Sequence, residues 1–361
     1  MIDSIARRYD NTVTMARLGD FRERVDVRSP SEYAEDHLPG ARNHPVLDDT
    51  ERARIGTMHA EESAFAARRA GAAIVARNLA AMIETSFAAK PRDWAPLVYC
   101  WRGGQRSRSL VHVMNEIGWR AVQLEGGYRA YRRRIVQQLT ELPGHFRYEV
   151  VCGLTGSGKS RLIGALAREG AQVLDLEAMA RHRGSLLGDL PDLPQPTQKA
   201  FDSQLIAALE SCDPSRPVYV ESESRKIGTV QLPDALLNAM RGAECIRISL
   251  PRPLRIELLK HEYAHFLGDH DALSARLVRL VPLHGKKTIE RWIDAAKAED
   301  WDGLVGELLE LHYDPMYRRS IDRNFPRIAS AIDVAPSALT DGGFRDLARD
   351  LDARVRERVT V

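Results

Sequence analysis

Two stretches of this 361-residue chain carry residue types at spacings that do chemistry. The first, VYCWRGGQRS at 98–107, sets Cys100 at the end of an apolar run, directly before a glycine pair, two arginines and a serine. Thiolate is the nucleophilic form of cysteine, and a free thiol titrating near ~8.5 needs neighbouring positive potential to ionise at neutral pH. The backbone N–H groups of a turn at Gly103 and Gly104, the N-terminus of a helix expected near Ser107, and the charges of Arg102 and Arg106 supply that potential. Such a loop stabilises a thiolate, a persulfide-type anion or an oxyanion held above the sulfur. The competing reading is a buried structural thiol, which suits Cys152, Cys212 and Cys245 better than Cys100.

The second stretch, GLTGSGKS at 153–160, matches G-x-x-x-x-G-K-[ST] in full, after an expected strand and before an expected helix. Gly153, Gly156 and Gly158, with Thr155 and Ser157 between them, let backbone N–H groups wrap a diphosphate. Lys159 then reaches its terminal oxygens, and Ser160 can hold Mg2+. A nucleoside triphosphatase would add an Asp at the end of a later strand. This chain offers Glu221 and Glu223 after PVYV, with Asp175 and Glu177 on the strand expected before it. These acids read either as cation ligands, Glu221 being the metal candidate beside Ser160, or as solvated strand-end charges.

The elements that must position these loops follow from the pattern. VDV, the segment after the turn at Pro39-Gly40, APLVYC and AVQLE read as short strands, and Ser29-Pro30-Ser31-Glu32 reads as a capped helix start. Residues 51–90 read as helix in one or two pieces, 107–118 as an amphipathic helix, and YRAYRRRIVQQL as a basic one. The alternation restarts after LPGHF (142–146), with strands at 148–152, 171–177, 216–222 and 244–250, and the chain reads as mainly helical from Pro251. The expected fold is α/β: a parallel-sheet domain over 1–141, then a P-loop α/β domain with a helical C-terminal part over 147–361.

Composition narrows the setting. With 44% hydrophobic residues the chain can build two cores. It has no run of 18 apolar residues and no apolar leader in MIDSIARRYDNTV, so a cytoplasmic protein without a membrane partner is expected. Four scattered cysteines without C-x-x-C spacing are expected as free thiols. A net charge of +2 does not announce a nucleic-acid binder. Yet basic residues cluster at Arg129 and Arg132 to Arg134, at Arg181 to Arg183 and near Arg318, either as solvated faces or as contacts for a polyanion.

VDVRSPSEYAEDHLPGARNHP, LVYCWRGGQRS and LEGGYRAY resemble the successive signatures of the rhodanese-like fold, whose members carry sulfur as a cysteine persulfide. Cys100 stands in the carrier position. The loop is one residue longer than the common C-x-x-G-x-R-S and gives C-x5-R, the count of cysteine phosphatases, which implies a wider anion pocket. Joined to the P-loop, and with LDLEAMARHRGSLLGDL (173–190), ESRKIG (223–228), HYDPMYRRSIDR (312–323) and WRGG (101–104), the chain resembles the tRNA 2-selenouridine synthase family over nearly its whole length.

That resemblance implies a transferase acting on the 2-thiouridine wobble base (U34) of tRNA, by S-geranylation with geranyl diphosphate and then selenation with selenophosphate. The P-loop with Lys159, Ser160 and Mg2+ would take the diphosphate. Cys100 would carry selenium as a selenyl sulfide, with Arg102, Gly103, Gly104 and Arg106 orienting selenophosphate. Arg132, Arg133, Arg181 and Arg183 are the tRNA-binding candidates, and Tyr128, Tyr131 or Trp101 candidates to stack on a flipped base. No tightly bound cofactor is implied, and an enzyme supplying selenophosphate is an implied partner. Two other classes stand beside this one: a sulfurtransferase or phosphatase domain fused to an ATP-dependent small-molecule kinase, and a tRNA-binding scaffold with a vestigial loop. Intact Cys100, Lys159 and Ser160 speak against the scaffold.

Overall fold

Strand and helix alternate through most of the chain, and local signals set many of the boundaries. The computed structural model describes residues 11–185, 187–190 and 193–360; the first ten, part of the segment read for a leader, lie outside the described residues. The chain divides into one unit running to Gln138, joined by Asp202–Gln204, and a second holding the rest.

In the first unit, strands β1 (Thr12–Val13), β2 (Arg24–Asp26), β3 (Ala41–Asn43), β4 (Leu97–Tyr99) and β5 (Val122–Leu124) form one parallel sheet, in the order β1-β5-β4-β2-β3. Helix α1 (Pro30–Glu35) starts where predicted, with Pro30 in its first turn and a Ser29–Glu32 capping box. The long helical stretch is two pieces, α2 (Asp49–Glu61) and α3 (Ala64–Thr85), capped by Asp48 and Ser63. Helix α4 (Gln105–Ile117) begins two residues before the expected Ser107, and α5 (Gly127–Glu141) is the basic helix. Val25, Val98, Leu110, Met114 and Phe87 close the core behind the cysteine loop.

In the second unit β6 (Tyr148–Cys152), β7 (Gln172–Leu174), β8 (Val218–Glu221), β11 (Glu244–Ile248) and β12 (Ile332–Val334) form a parallel sheet ordered β12-β11-β6-β8-β7, while β9 (Lys226–Ile227) and β10 (Val230–Gln231) form a small hairpin. Helix α6 (Lys159–Arg168) follows the P-loop. Helices α7 (Leu176–Ala180), α8 (Gln198–Glu210) and α9 (Asp234–Arg241) lie between the later strands. The helical region holds α10 (Arg252–Glu262), α11 (His270–Leu277), α12 (Lys286–Lys297), α13 (Trp301–Glu307), α14 (Asp314–Asn324) and α15 (Asp341–Thr360), with shorter turns between them.

Three expectations are corrected. The strand expected over 171–177 stops at Leu174, because Asp175 accepts the Ala178 N–H (2.9 Å) and caps α7; Asp175 and Glu177 are therefore not strand residues. Two short edge strands, β1 and β12, add a fifth member to each sheet. β12 lies in the segment read as helical, where Ile332 and Val334 face the core beside Val151, Ile246 and Phe344. No helix among the described residues is long and apolar enough to cross a membrane.

Candidate active site

Cys100 follows β4, and its loop lies at the C-terminal end of the sheet, where open parallel sheets place ligands. Cys100 is 3% exposed. Gly104 N–H and Ser107 Oγ–H both donate to Sγ at 3.2 Å, and Gln123 Nε2 donates to Ser107 Oγ at 2.7 Å, fixing that hydroxyl. The loop is clamped by the turn after β5: Tyr128 N–H donates to Cys100 O (2.9 Å) and Arg129 N–H to Trp101 O (3.0 Å). The backbones approach so closely that a Cβ on Gly127 (φ +54°) would lie 2.2 Å from Cys100 O. The structure thus brings Cys100, Gly103 and Gly104 together with Ser107 and Gln123, which the sequence reading had not assigned to the site.

The arginines divide. Arg102 is exposed, whereas Arg106 is ion-paired with Glu32 at 2.7 Å, both side chains largely covered. Burial would push the Glu32 carboxyl up, yet the Arg106 guanidinium holds it below its ordinary range. Arg106 is therefore not a loop cation awaiting an anion; Glu32, 74 residues away in sequence, already neutralises it. The stacking candidates are corrected as well. Tyr128 and Tyr131 are 1% and 3% exposed, and the Tyr128 ring lies under the Arg28 guanidinium at 4.0 Å, which leaves neither ring a face for a base. Trp101, half-buried against Tyr128, keeps partial access.

The P-loop joins β6 to α6 between β11 and β8, as its motif predicts. Lys159 Nζ donates to Gly153 O (3.1 Å) and sits 5.3 Å from the Tyr317 ring centroid. The hydroxyls of Thr155 and Ser157 are buried without a hydrogen-bond partner, an arrangement that suits oxyanion ligands. Arg255 Nε donates to Thr155 O (2.8 Å) and the same guanidinium forms a bidentate pair with Asp314, so α10 and α14 hold the loop from behind.

Three carboxylates converge beside Ser160. One oxygen from each of Glu177, Glu221 and Glu223 falls within a 4.8 Å cluster, and Ser160 Oγ donates to Glu177 at 3.0 Å. Glu221, fully buried at the end of β8, has no partner on either oxygen. Burial pushes its carboxyl up to about 8, Lys159 opposing and Glu223 adding to the rise. Burial likewise raises Glu177 and Glu223. Gly184 makes the cluster possible, since a Cβ there would lie 2.8 Å from Glu177 Oε1 and 2.9 Å from Glu223 Oε2. These residues fit a hard divalent cation, which takes oxygen ligands and favours ionised carboxylates.

The remaining candidates scatter. Arg183 lines the P-loop cavity with Glu262, Tyr263 and Tyr317, its guanidinium 5.2 Å from the Tyr263 ring centroid. That position sets it beside the P-loop instead of on an outer face. Arg181 is exposed, held at φ +50° where α7 ends. On α5 Arg133 is exposed, while Arg132 pairs with Asp202. Glu177, Arg183, Glu262 and Tyr317 come from separate elements. The proximity of Glu177 was hinted at only by its place just after β7. All four cysteines are free thiols.

Comparison with known proteins agrees with both halves of this layout. A rhodanese-like domain model matches residues 14–134, and the model of the tRNA 2-selenouridine synthase AAA domain matches 146–276. The chain is 32% identical over 364 residues to the tRNA 2-selenouridine synthase of a Sulfurovum species, covering 92% of this chain and 94% of that one. It is 31% identical over 343 residues to that of Bdellovibrio bacteriovorus, covering 83% and 89%. A relative from Nitrosomonas europaea with the same name is 35% identical over 246 residues, a match that spans 66% of this chain and 63% of the relative. With a cysteine cradle on one parallel sheet and a phosphate loop on the other, and with such identity over nearly the full length of two relatives, this chain belongs to the tRNA 2-selenouridine synthase family.

Proposed function

We propose that this enzyme converts the 2-thiouridine wobble base of tRNA to 2-selenouridine in two steps, alkylation and then selenium entry. The observation that supports the reading is the presence, on one chain of this family, of a P-loop whose Thr155 and Ser157 hydroxyls are buried without partners and of a sulfur held by two donors. A thiocarbonyl sulfur leaves poorly. Once alkylated, the same carbon accepts a nucleophile and releases a thiol.

In the first step the base sulfur attacks C1 of geranyl diphosphate: an S–C bond forms, the C–O bond breaks, and diphosphate leaves with the electron pair. Lys159, Arg183, the loop N–H groups and the hydroxyls of Thr155 and Ser157 are placed to receive the charge on that leaving group. Glu177 and Glu262 line the same space, with Glu221 and Glu223 converging on Glu177, and these acids in their ionised form would repel a diphosphate on its own. Mg2+ held by Ser160 and Glu221 would supply the charge neutralisation they call for.

In the second step selenophosphate delivers selenium at the selenide level. A Se–C2 bond forms, the C2–S bond breaks, and geranylthiolate leaves; attack at phosphorus then cuts the Se–P bond. A selenyl sulfide on Cys100, the role implied by resemblance to sulfur carriers, would require a two-electron oxidation of that selenium. We therefore assign Cys100 the attack at phosphorus, its sulfur held by the Gly104 N–H and the Ser107 hydroxyl, with water releasing phosphate from the sulfur.

The test is the mass of the wobble nucleoside after incubation of tRNA with both co-substrates. Lys159→Ala should abolish S-geranylation. Cys100→Ser should still geranylate but form no 2-selenouridine. Full selenation by Cys100→Ser would overturn the role of the sulfur, and geranylation by Lys159→Ala at the wild-type rate would overturn that of the P-loop.

A further inference from the structure

A second cavity adjoins the phosphate cradle, and its chemistry differs sharply from it. Its walls are mainly hydrocarbon: Phe266, Leu273, Trp301, Leu304, Val305 and Leu308 are among the lining residues, around a narrow slot of about 70 Å³. Thr155, Leu259 and Tyr263 line both this slot and the space around Lys159 and Ser160, so the two share a wall. The chain between α13 and α14 forms a π-helical turn, Leu308–Tyr313, which contributes Leu308, Leu309 and Tyr313 to the slot. Such turns recur at functional sites because they re-aim side chains within a helix.

The few polar groups in the wall already have partners or belong to the cradle. Lys260 pairs with Asp302 at 2.6 Å, and the Tyr263 hydroxyl meets Ser185 Oγ at 3.3 Å. A nucleobase and ribose placed here would bury donors and acceptors with little to bond, at a cost that hydrocarbon does not incur.

We infer that this slot is the seat of the isoprenoid chain of the allylic diphosphate whose headgroup occupies the P-loop, and that it selects a prenyl diphosphate over a nucleotide there. The inference rests on the reading that the P-loop holds a prenyl diphosphate, and adds where the hydrocarbon goes. The apolar wall also keeps water from the carbon that loses diphosphate, which protects the allylic centre from hydrolysis before the sulfur arrives.

The full-length protein can be titrated, with Mg2+ present, with geranyl diphosphate, inorganic diphosphate and ADP. Trp301 in the slot wall serves as a fluorescence reporter, and Trp301→Phe identifies its signal. Val305 is half-buried on α13, so Val305→Phe projects a ring into the slot with modest disturbance of the core. At roughly fourfold in affinity per methylene displaced, excluding two carbons is enough to weaken geranyl diphosphate by at least ~10-fold. Inorganic diphosphate should bind as in wild type. Leu267→Trp, at another half-buried wall position, replaces that variant if it fails to fold and should give the same split. Unchanged geranyl diphosphate binding in the folded variant, or equal loss of both ligands, would overturn the slot. Wild type that binds ADP but not geranyl diphosphate would instead overturn the P-loop reading, so the two failures are distinguishable.

Discussion

Asp26 in the first unit and Glu221 in the second are both completely buried, and the protein treats them in opposite ways. Asp26 meets Arg28 at 2.6 Å with neither side chain exposed, and the Arg28 Nε and Nη2 both bond it. The Arg28 guanidinium is covered in turn by the ring of Tyr128. Glu221 has only unsatisfied oxygens and two acidic neighbours. Burying a charge is tolerable when a partner is built in, and Glu221 has none. Glu149 lies between the two cases, 3% exposed with Arg147 3.9 Å away and one oxygen without a partner.

The comparison can be broken most forcefully at Asp26. Asp26→Ala leaves Arg28 charged and buried, for an expected loss of about 3–5 kcal/mol, read from hydrogen exchange of the β2 and β4 amides in urea. A loss under about 1 kcal/mol would mean that the pair is not what holds this region.

The opposite result is expected at Glu221. Glu221→Gln replaces a buried carboxyl that burial disfavours in its ionised form and that has no partner, so the ligand-free protein should be no less stable than wild type. What it should lose is ligand stabilisation, about 2.7 kcal/mol when Mg2+ and diphosphate are supplied at 100 times Kd. Thermal melts with and without the pair of ligands check this, and a variant that keeps the full shift would remove Glu221 from the cation site.

The smallest effect belongs to Glu149. Burial pushes its carboxyl up to about 7, with Arg147 opposing, so the folded state binds a proton more tightly than the unfolded chain does. The stability this contributes is full below the ordinary carboxylate range and is lost as pH rises through about 7. Glu149→Gln should flatten the wild-type decline between about pH 4.5 and 7, where one such group adds a slope of at most about 1.4 kcal/mol per pH unit. Parallel pH profiles for both proteins would show that Glu149 does not titrate there.

What the sequence disclosed depended on how far apart the cooperating residues lie. The P-loop was legible because its ligands are consecutive and their spacing follows from wrapping a phosphate. The Cys100 loop was legible for the same reason. Its clamp at Gly127 and its neutralising Glu32 were not, since both arrive through the sheet from distant segments. Arg183 read as part of a basic surface run, because nothing local distinguishes an arginine facing solvent from one facing a cavity. β12 is three residues long inside a helical region, too short for a period-2 pattern to stand out. Tyr128 and Tyr131 read either as base-stacking rings or as core, and the helix turns both inward.

The position of that late strand has a consequence for the order in which the enzyme becomes competent. β12 pairs with β11 and so closes an edge of the P-loop sheet, and α15 packs on α6, setting the Phe344 ring where a Cβ on Gly158 would lie 2.7 Å from it. During synthesis the phosphate loop is made nearly two hundred residues before the helix that packs against it. A nascent chain therefore exposes an open β11 edge until Ile332–Val334 arrives, which makes partial chains prone to strand pairing with one another. It also withholds a finished phosphate site until Phe344 and its helix have been made.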